Sequence, residues 1–215
     1  MIDQTINVRG KTITTFIVYE INRALSDKEP GEVLEVVAEQ DNAIRSDITS
    51  WAEATGHQLI EIVEADGFDR FLIRKSDVTP SGKSMALIVS DPGLEELLSP
   101  LGFALAGALE GENVYIYFQG PAVRVLERRF TPHLKGWWRR MFSPFARRGL
   151  ERAGHVSPHE KLRELQGLGA KFYACAPSMD RFRVAKTDLA FPDVKVVEYL
   201  TFVDVMAGTD VQLYP

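Results

Sequence analysis

Alternation of hydrophobic and polar positions divides the chain into two successive runs of strands and helices. Ile6 and Val8 alternate on a short strand that ends at Arg9-Gly10, and Ile17, Ile21 and Leu25 then recur at helical spacing until Pro30-Gly31. Val33 to Ala38 reads as a second strand. After Asp41-Asn42, a pair able to cap, Ile44, Ile48, Trp51 and Thr55 mark one face of a helix that Gly56 ends. Two further strands, His57 to Ala65 and Phe68 to Lys75, are joined by Asp66-Gly67, a two-residue hairpin signal. The pattern predicts βαβαββ, a two-layer sandwich with both helices on one face of a four-stranded sheet.

Ser76 to Lys83 is polar, contains Pro80 and Gly82 and has no period, which places a linker at 79–83 between a domain at 1–78 and another at 84–215. The second pattern is different. Met85 to Val89 and Val114 to Phe118 are continuous apolar strands. Between them Ser99-Pro100 reads as a helix start with Leu101, Leu105 and Leu109 as its stripe. Gly120-Pro121 opens a further helix carrying Val125 and Leu126, and Ser157 with Glu160 has capping-box spacing ahead of Leu162, Leu165 and Leu168. Lys171 to Cys175 is then a strand, Ser178 to Asp188 a helix, Val194 to Glu198 a strand, Thr201 to Ala207 a short helix and Val211 to Tyr214 a last strand. Continuous apolar strands alternating with helices predict a doubly wound, mainly parallel five-stranded α/β domain covered on both faces.

A composition of 45% hydrophobic and 26% charged residues over 215 positions is that of an ordinary globular protein with a proper core. One cysteine allows no internal disulfide, and the start MIDQTINVRGK has no apolar core of the secretory kind, so a cytoplasmic location is expected. The apolar run Leu97 to Leu109 is too short to span a bilayer. Charge is unevenly spread. Eight basic residues against Glu151 give +7 over Arg128 to Arg152, leaving −12 for the rest of a chain whose net charge is −5.

Candidate chemistry centres on KFYACAPSMDRFR, residues 171–183, where the single cysteine, Cys175, stands at the end of an apolar strand and ahead of a helix start. An unpaired cysteine is often an inert small hydrophobe. A helix start and nearby cations, here Arg181 or Arg183, instead favour a reactive thiolate, with Asp180 opposing if close. In parallel sheets, ligands and chemistry collect at the carboxyl ends of strands, where Cys175 falls. Other constellations are poor. His155 and His159 are spaced four apart, but Pro158 and the capping role of Ser157 argue against a metal face, and His57 and His133 are isolated, so no metal is expected. Thr79 to Ser84 lacks the spacing and preceding strand of a phosphate loop, so no nucleotide or other cofactor is implied.

The second domain resembles the DsrE/DsrF-like family of sulfur-relay proteins over Ser84 to Tyr214. MALIVSDPGLEELLSPLGFALAGALEGENVYIYF, GLGAKFYACAPSMD and VVEYLTFVDVMAGTDVQLYP carry the likeness. The resemblance implies that Cys175, with Ser178, Met179 and Asp180 behind it, carries sulfur as a persulfide, and that the protein is a homo-oligomer. Pro177 departs from the pattern and removes one N–H donor. The first domain is similar to the TusA-like (SirA-like) sulfur carriers in element order, in Arg9-Gly10, in Pro30-Gly31 and in the final FLIRK strand. Where that family continues into Cys-Pro-x-Pro, this chain reads Lys11-Thr12-Ile13-Thr14-Thr15-Phe16, with Ile13 in the cysteine's place. The resemblance therefore implies a fusion whose first domain recognises or assembles but carries no sulfur.

The segment Phe130 to Arg148, within an insertion at 130–152, mixes Trp137, Trp138, Arg139, Arg140, Met141, Phe142 and Phe145. Leu134, Trp137 or Trp138, Met141 and Phe145 recur near helical spacing, predicting an amphipathic helix bent or ended near Pro144. It reads as a lid or subunit contact, a peripheral anchor at the inner face of a membrane, or a solvated basic face; an acidic body without a binding motif argues against nucleic acid. The expected function is an intracellular sulfur-relay protein, a persulfide carrier or sulfurtransferase component that takes sulfane sulfur on Cys175 and passes it to another carrier's thiol. The alternative is a non-catalytic adaptor that gathers sulfur-relay partners and docks through 130–148.

Overall fold

In the computed structural model of the chain, the described residues are 2–11, 13–77, 82–136, 139, 141–152 and 157–214, the side chains of 147 and 150–152 excepted. The chain divides into two compact units that change over at residues 81 and 82.

The first unit runs β1 (Gln4–Asn7), α1 (Thr14–Ser26), β2 (Val33–Glu39), α2 (Asn42–Thr55), β3 (Gln58–Ala65) and β4 (Phe68–Arg74). Its sheet order is β1-β2-β4-β3, with β1 parallel to β2 and the other pairs antiparallel. The period of two puts Leu34, Val36 and Ala38 of β2 on one face with Phe71 and Ile73 of β4. These are buried together with Ile17, Ile21 and Leu25 of α1 and Ile48 and Trp51 of α2. Asp41 caps α2 by accepting from the N–H groups of Ala43 at 2.8 Å and Ile44 at 3.1 Å, and Gly56 ends it at φ 75°. Asp69 lies on that same core face, fully buried, and Arg45 of α2 donates to both its oxygens at 2.8 to 3.1 Å. A buried carboxylate without such a partner is strongly disfavoured, so this pair also fixes how α2 sits on the sheet. The pattern of elements expected from sequence is the one observed.

The second unit runs β5 (Ser84–Val89), α3 (Leu94–Leu109), β6 (Asn113–Phe118), a 3-10 helix (Gly120–Leu126), α4 (Ser143–Arg152), α5 (Pro158–Gly167), β7 (Lys171–Cys175), α6 (Ala176–Phe182), a second 3-10 helix (Lys186–Asp188), β8 (Lys195–Val197), α7 (Tyr199–Ala207) and β9 (Val211–Leu213). Its five strands pair in parallel in the order β8-β7-β6-β5-β9. Helices cover both faces of such a sheet, which is why β5, β6 and β7 read as continuous apolar runs. Ser157 caps α5 reciprocally with Glu160, and that helix delivers the chain to β7.

Four local expectations change. The third helix begins at Leu94 and contains Pro100 instead of starting there. Leu94, Leu97 and Leu101 are all buried, and Glu95 and Glu96 suit the positive end of the helix, which together offset one missing backbone hydrogen bond. Gly120-Pro121 opens a 3-10 turn, not an α-helix. Pro144 stands near the beginning of α4, where its missing N–H is not needed, and does not bend or end a helix. The helix expected over Ser178 to Asp188 stops at Phe182, followed by Arg183 in the left-handed conformation at φ 55°. Among the described residues no helix is long and apolar enough to cross a membrane.

Candidate functional site around Cys175

Cys175 is the last residue of β7 and the residue before α6, and its side chain is fully buried. The carboxyl ends of neighbouring strands converge there. Ser90 follows β5, Gln119 and Gly120 follow β6, Pro177 and Ser178 follow β7, and Tyr199 follows β8; together with Arg181 they line an open cleft of about 720 Å³. Cys175 lies below this lining. Gly120 takes φ 53°, which brings its N–H to donate to the Ser178 hydroxyl at 2.9 Å, and Gln119 donates to the Ser90 hydroxyl at 2.9 Å. Ser178, buried at 6% exposure, is thereby fixed at the cleft floor.

Burial by itself pushes the Cys175 thiol up, and hydroxyl groups more than reverse this. The net direction is below an ordinary cysteine, through hydrogen bonding by the Ser178 side chain, then the Tyr117 hydroxyl, the Ser178 backbone N–H and the Tyr199 hydroxyl. The reciprocal effect is visible on the phenols. Tyr117 is pushed above its ordinary range by burial first and by Cys175 second, and Tyr199 is raised chiefly by Cys175.

The two tyrosines reach the sulfur differently. Tyr117 on β6 pairs in register with Tyr173, two residues before Cys175, so strand alternation puts all three side chains on one face. Its ring stacks on Phe202 of α7 with centroids 4.6 Å apart and planes 13° apart, and it is 1% exposed. Tyr199 enters from the first turn of α7, meets the Tyr117 ring edge-on at 6.2 Å and is 54% exposed.

Of the residues expected around the thiolate, Ser178 is beside it. Asp180 and Arg181 are exposed on α6, Arg181 on the cleft wall. Arg183 is past the far end of that helix. The groups acting most strongly on the sulfur are thus hydroxyls and a backbone N–H, and Tyr117 and Tyr199 were not legible as such. Only the β6–β7 register and the return of the chain through β8 bring them to Cys175.

The beginning of the basic insertion is pinned to the start of α3. Lys135 pairs with Asp91 at 2.7 Å and Glu96 at 2.9 Å, Arg139 pairs with Glu95 at 2.6 Å, and the Leu94 N–H donates to the His133 carbonyl at 3.0 Å. Residues 130–131 and 133–136 line a second cavity of about 490 Å³ that shares Pro121 and Phe182 with the Cys175 cleft. Met141, Phe142 and Phe145 are exposed, at 67%, 60% and 69%. Trp137, Trp138 and Arg140 lie outside the described residues, as does His155 of the histidine pair. Among the described residues no cluster of three or more metal-ligating side chains occurs. His159 instead bonds the Val125 carbonyl through Nε2 at 2.7 Å. In the first unit, Ile13 is the residue before α1, half-buried, with extended backbone and no capping bond from its side chain.

Comparison with known proteins divides the chain in the same way. Residues 17–75 match Sulfurtransferase TusA and residues 83–213 match the DsrE/DsrF-like family. YrkI of Bacillus subtilis (strain 168), named as a candidate sulfur carrier protein, is 30% identical over 73 residues, which is 34% of this chain and 95% of YrkI. A protein of Archaeoglobus fulgidus with the same kind of name is 30% identical over 56 residues, 26% of this chain and 75% of that protein. The crystal structure of the ychN protein from E. coli superposes with a TM-score of 0.47 at 13% identity, covering 62% of this chain and 99% of that one. The chain belongs to the DsrE/DsrF-like family through residues 83–213, fused behind a domain of the TusA sulfur-carrier family.

Proposed function

We propose that this sulfur-relay chain is a persulfide carrier, accepting sulfane sulfur on Cys175 and passing it to a thiol of another protein. The observation that carries the reading is the set of hydroxyls around the sole cysteine at the end of a central parallel strand, which holds the thiol below its ordinary pKa. In the accepting step the Cys175 thiolate attacks the outer sulfur of a donor R–S–SH. The new S–S bond gives Cys175–S–SH, the donor's S–S bond breaks and R–S⁻ leaves, so sulfur moves without net oxidation. In the second step the acceptor's thiolate attacks the outer sulfur and Cys175 leaves as thiolate, a departure its low pKa favours. With a single cysteine in the chain no internal resolution is possible, and Ile13 gives the first domain no thiol, so that domain serves recognition or assembly. The carrier works in the cytoplasm and as a homo-oligomer; the exposed Leu200 and Val203 of α7 support the second of these. Incubation with a small-molecule persulfide followed by intact mass measurement tests it: one added sulfur on the native chain and none on Cys175→Ser is expected, and no gain on the native chain overturns the reading.

The full burial of Cys175 favours a second reading, in which the sulfur only packs and the chain gathers sulfur-relay partners as an adaptor. In that reading the exposed Met141, Phe142 and Phe145 beside basic residues contact a partner or a membrane surface. Sedimentation with anionic liposomes, with and without residues 130–148, separates these uses; equal pelleting counts against the membrane.

A further inference from the structure

We propose that Tyr117 is a fixed hydrogen-bond donor of the site beside Ser178, its buried hydroxyl holding first the Cys175 thiolate and then the terminal sulfur of the persulfide, with Tyr199 as the movable donor that covers the sulfur. The inference rests on the carrier reading of Cys175. Tyr117 Oη is sealed from solvent and completes no hydrogen bond of ordinary geometry with any described residue, the group it acts on being the Cys175 sulfur. A buried hydroxyl in that state is costly to keep, so its retention calls for an acceptor that is present only part of the time. A neutral thiol is a weak acceptor, whereas a thiolate or a persulfide anion is a strong one, and the sulfur on the same sheet face is where that acceptor arises.

The surroundings assign different tasks to the two rings. Tyr117 is immobilised between strand and helix by its stack on Phe202, so its hydroxyl direction is set before sulfur arrives. Ser178 is fixed by accepting from the Gly120 N–H, which leaves its own O–H to donate to the sulfur beside Tyr117. Tyr199 is the half-exposed member, and turning its ring outward opens a route from the cleft to a sulfur that is otherwise closed off. The charged groups nearby are Glu198, directly before Tyr199, whose carboxylate opposes ionisation of Tyr117, and Asp180 and Arg181 on the exposed side of α6. With Glu198 disfavouring a tyrosinate at Tyr117, that residue remains a donor while Cys175 carries the negative charge.

The test is Tyr117→Phe, which keeps the ring stack and deletes the hydroxyl. Thiolate formation is followed by ultraviolet absorbance across pH, each protein being read against its own Cys175→Ser counterpart, so that reagent access plays no part. The midpoint is expected to rise by about one pH unit in Tyr117→Phe and by less in Tyr199→Phe, where water can replace the lost hydroxyl. Superimposed titrations of Tyr117→Phe and native protein, or a larger shift from Tyr199→Phe, overturn the assignment. Sulfur uptake is measured separately by mass. A native chain that titrates as expected but takes up no sulfur retains Tyr117 as thiolate donor and removes the persulfide role together with the carrier reading.

Discussion

Ile13 and Cys175 both stand in extended backbone immediately before a helix. Ile13 precedes the 13-residue α1 of the first unit and Cys175 the 7-residue α6 of the second; neither side chain caps its helix. The longer helix, with the stronger dipole, therefore begins at the residue that cannot ionise. What distinguishes the second position is its neighbours, Ser178 of α6, Tyr117 of β6 and Tyr199 at the start of α7. A helix start alone does not set the two positions apart; strand pairing and the return of the chain through β8 bring Tyr117 and Tyr199 to Cys175.

Differences in access give the largest effect with which to break this comparison. Ile13 is half-buried whereas Cys175 is fully buried. The thiol introduced by Ile13→Cys is expected to react with a small alkylating reagent about 100-fold faster than Cys175, which must await local opening. Peptide mass mapping reads both sites in one sample, and equal rates contradict the closed state described for Cys175. Next in size is Tyr199→Ala, which removes the cover and is expected to speed Cys175 alkylation roughly tenfold. The pH midpoint shift of about one unit in Tyr117→Phe follows, measuring electrostatic support instead of access.

The smallest effect concerns the helix that feeds β7. Ser157→Ala breaks the capping box and should cost about 1 kcal/mol of stability, read by urea denaturation. Glu160 is held below its ordinary pKa by hydrogen bonds from the Ser157 side chain and backbone. A depressed carboxylate stabilises above its unfolded pKa, and the contribution is lost as pH falls through the folded one. The deficit of Ser157→Ala should therefore be full at neutral pH and narrow in acid; a deficit that widens in acid contradicts the capping account.

Much of the fold was readable because it rests on local signals. Asp41 and Gly56 bracket α2, Asp66-Gly67 turns the hairpin with Gly67 at φ 80°, and Ser157 with Glu160 starts α5. Pro100 misled because propensity at one position lost to the buried stripe of Leu94, Leu97 and Leu101. The same holds at Pro144, where a proline can open a helix as readily as stop one. For the site, residues local to Cys175 were visible in sequence, and of these Ser178 meets it. Arg181 and Arg183 are close in number but face the cleft wall and the far helix end. Tyr117 is 58 positions from Cys175 and was hidden because only strand register makes them neighbours.

The central claim is that sulfur chemistry in this fused chain belongs to Cys175 alone. Its most direct test is the intact mass of the native chain and of Cys175→Ser after exposure to the same small-molecule persulfide. The account predicts a single added sulfur on the native chain, removable by a reducing thiol, and none on the variant. An unchanged native mass, or the same gain on both proteins, would contradict it.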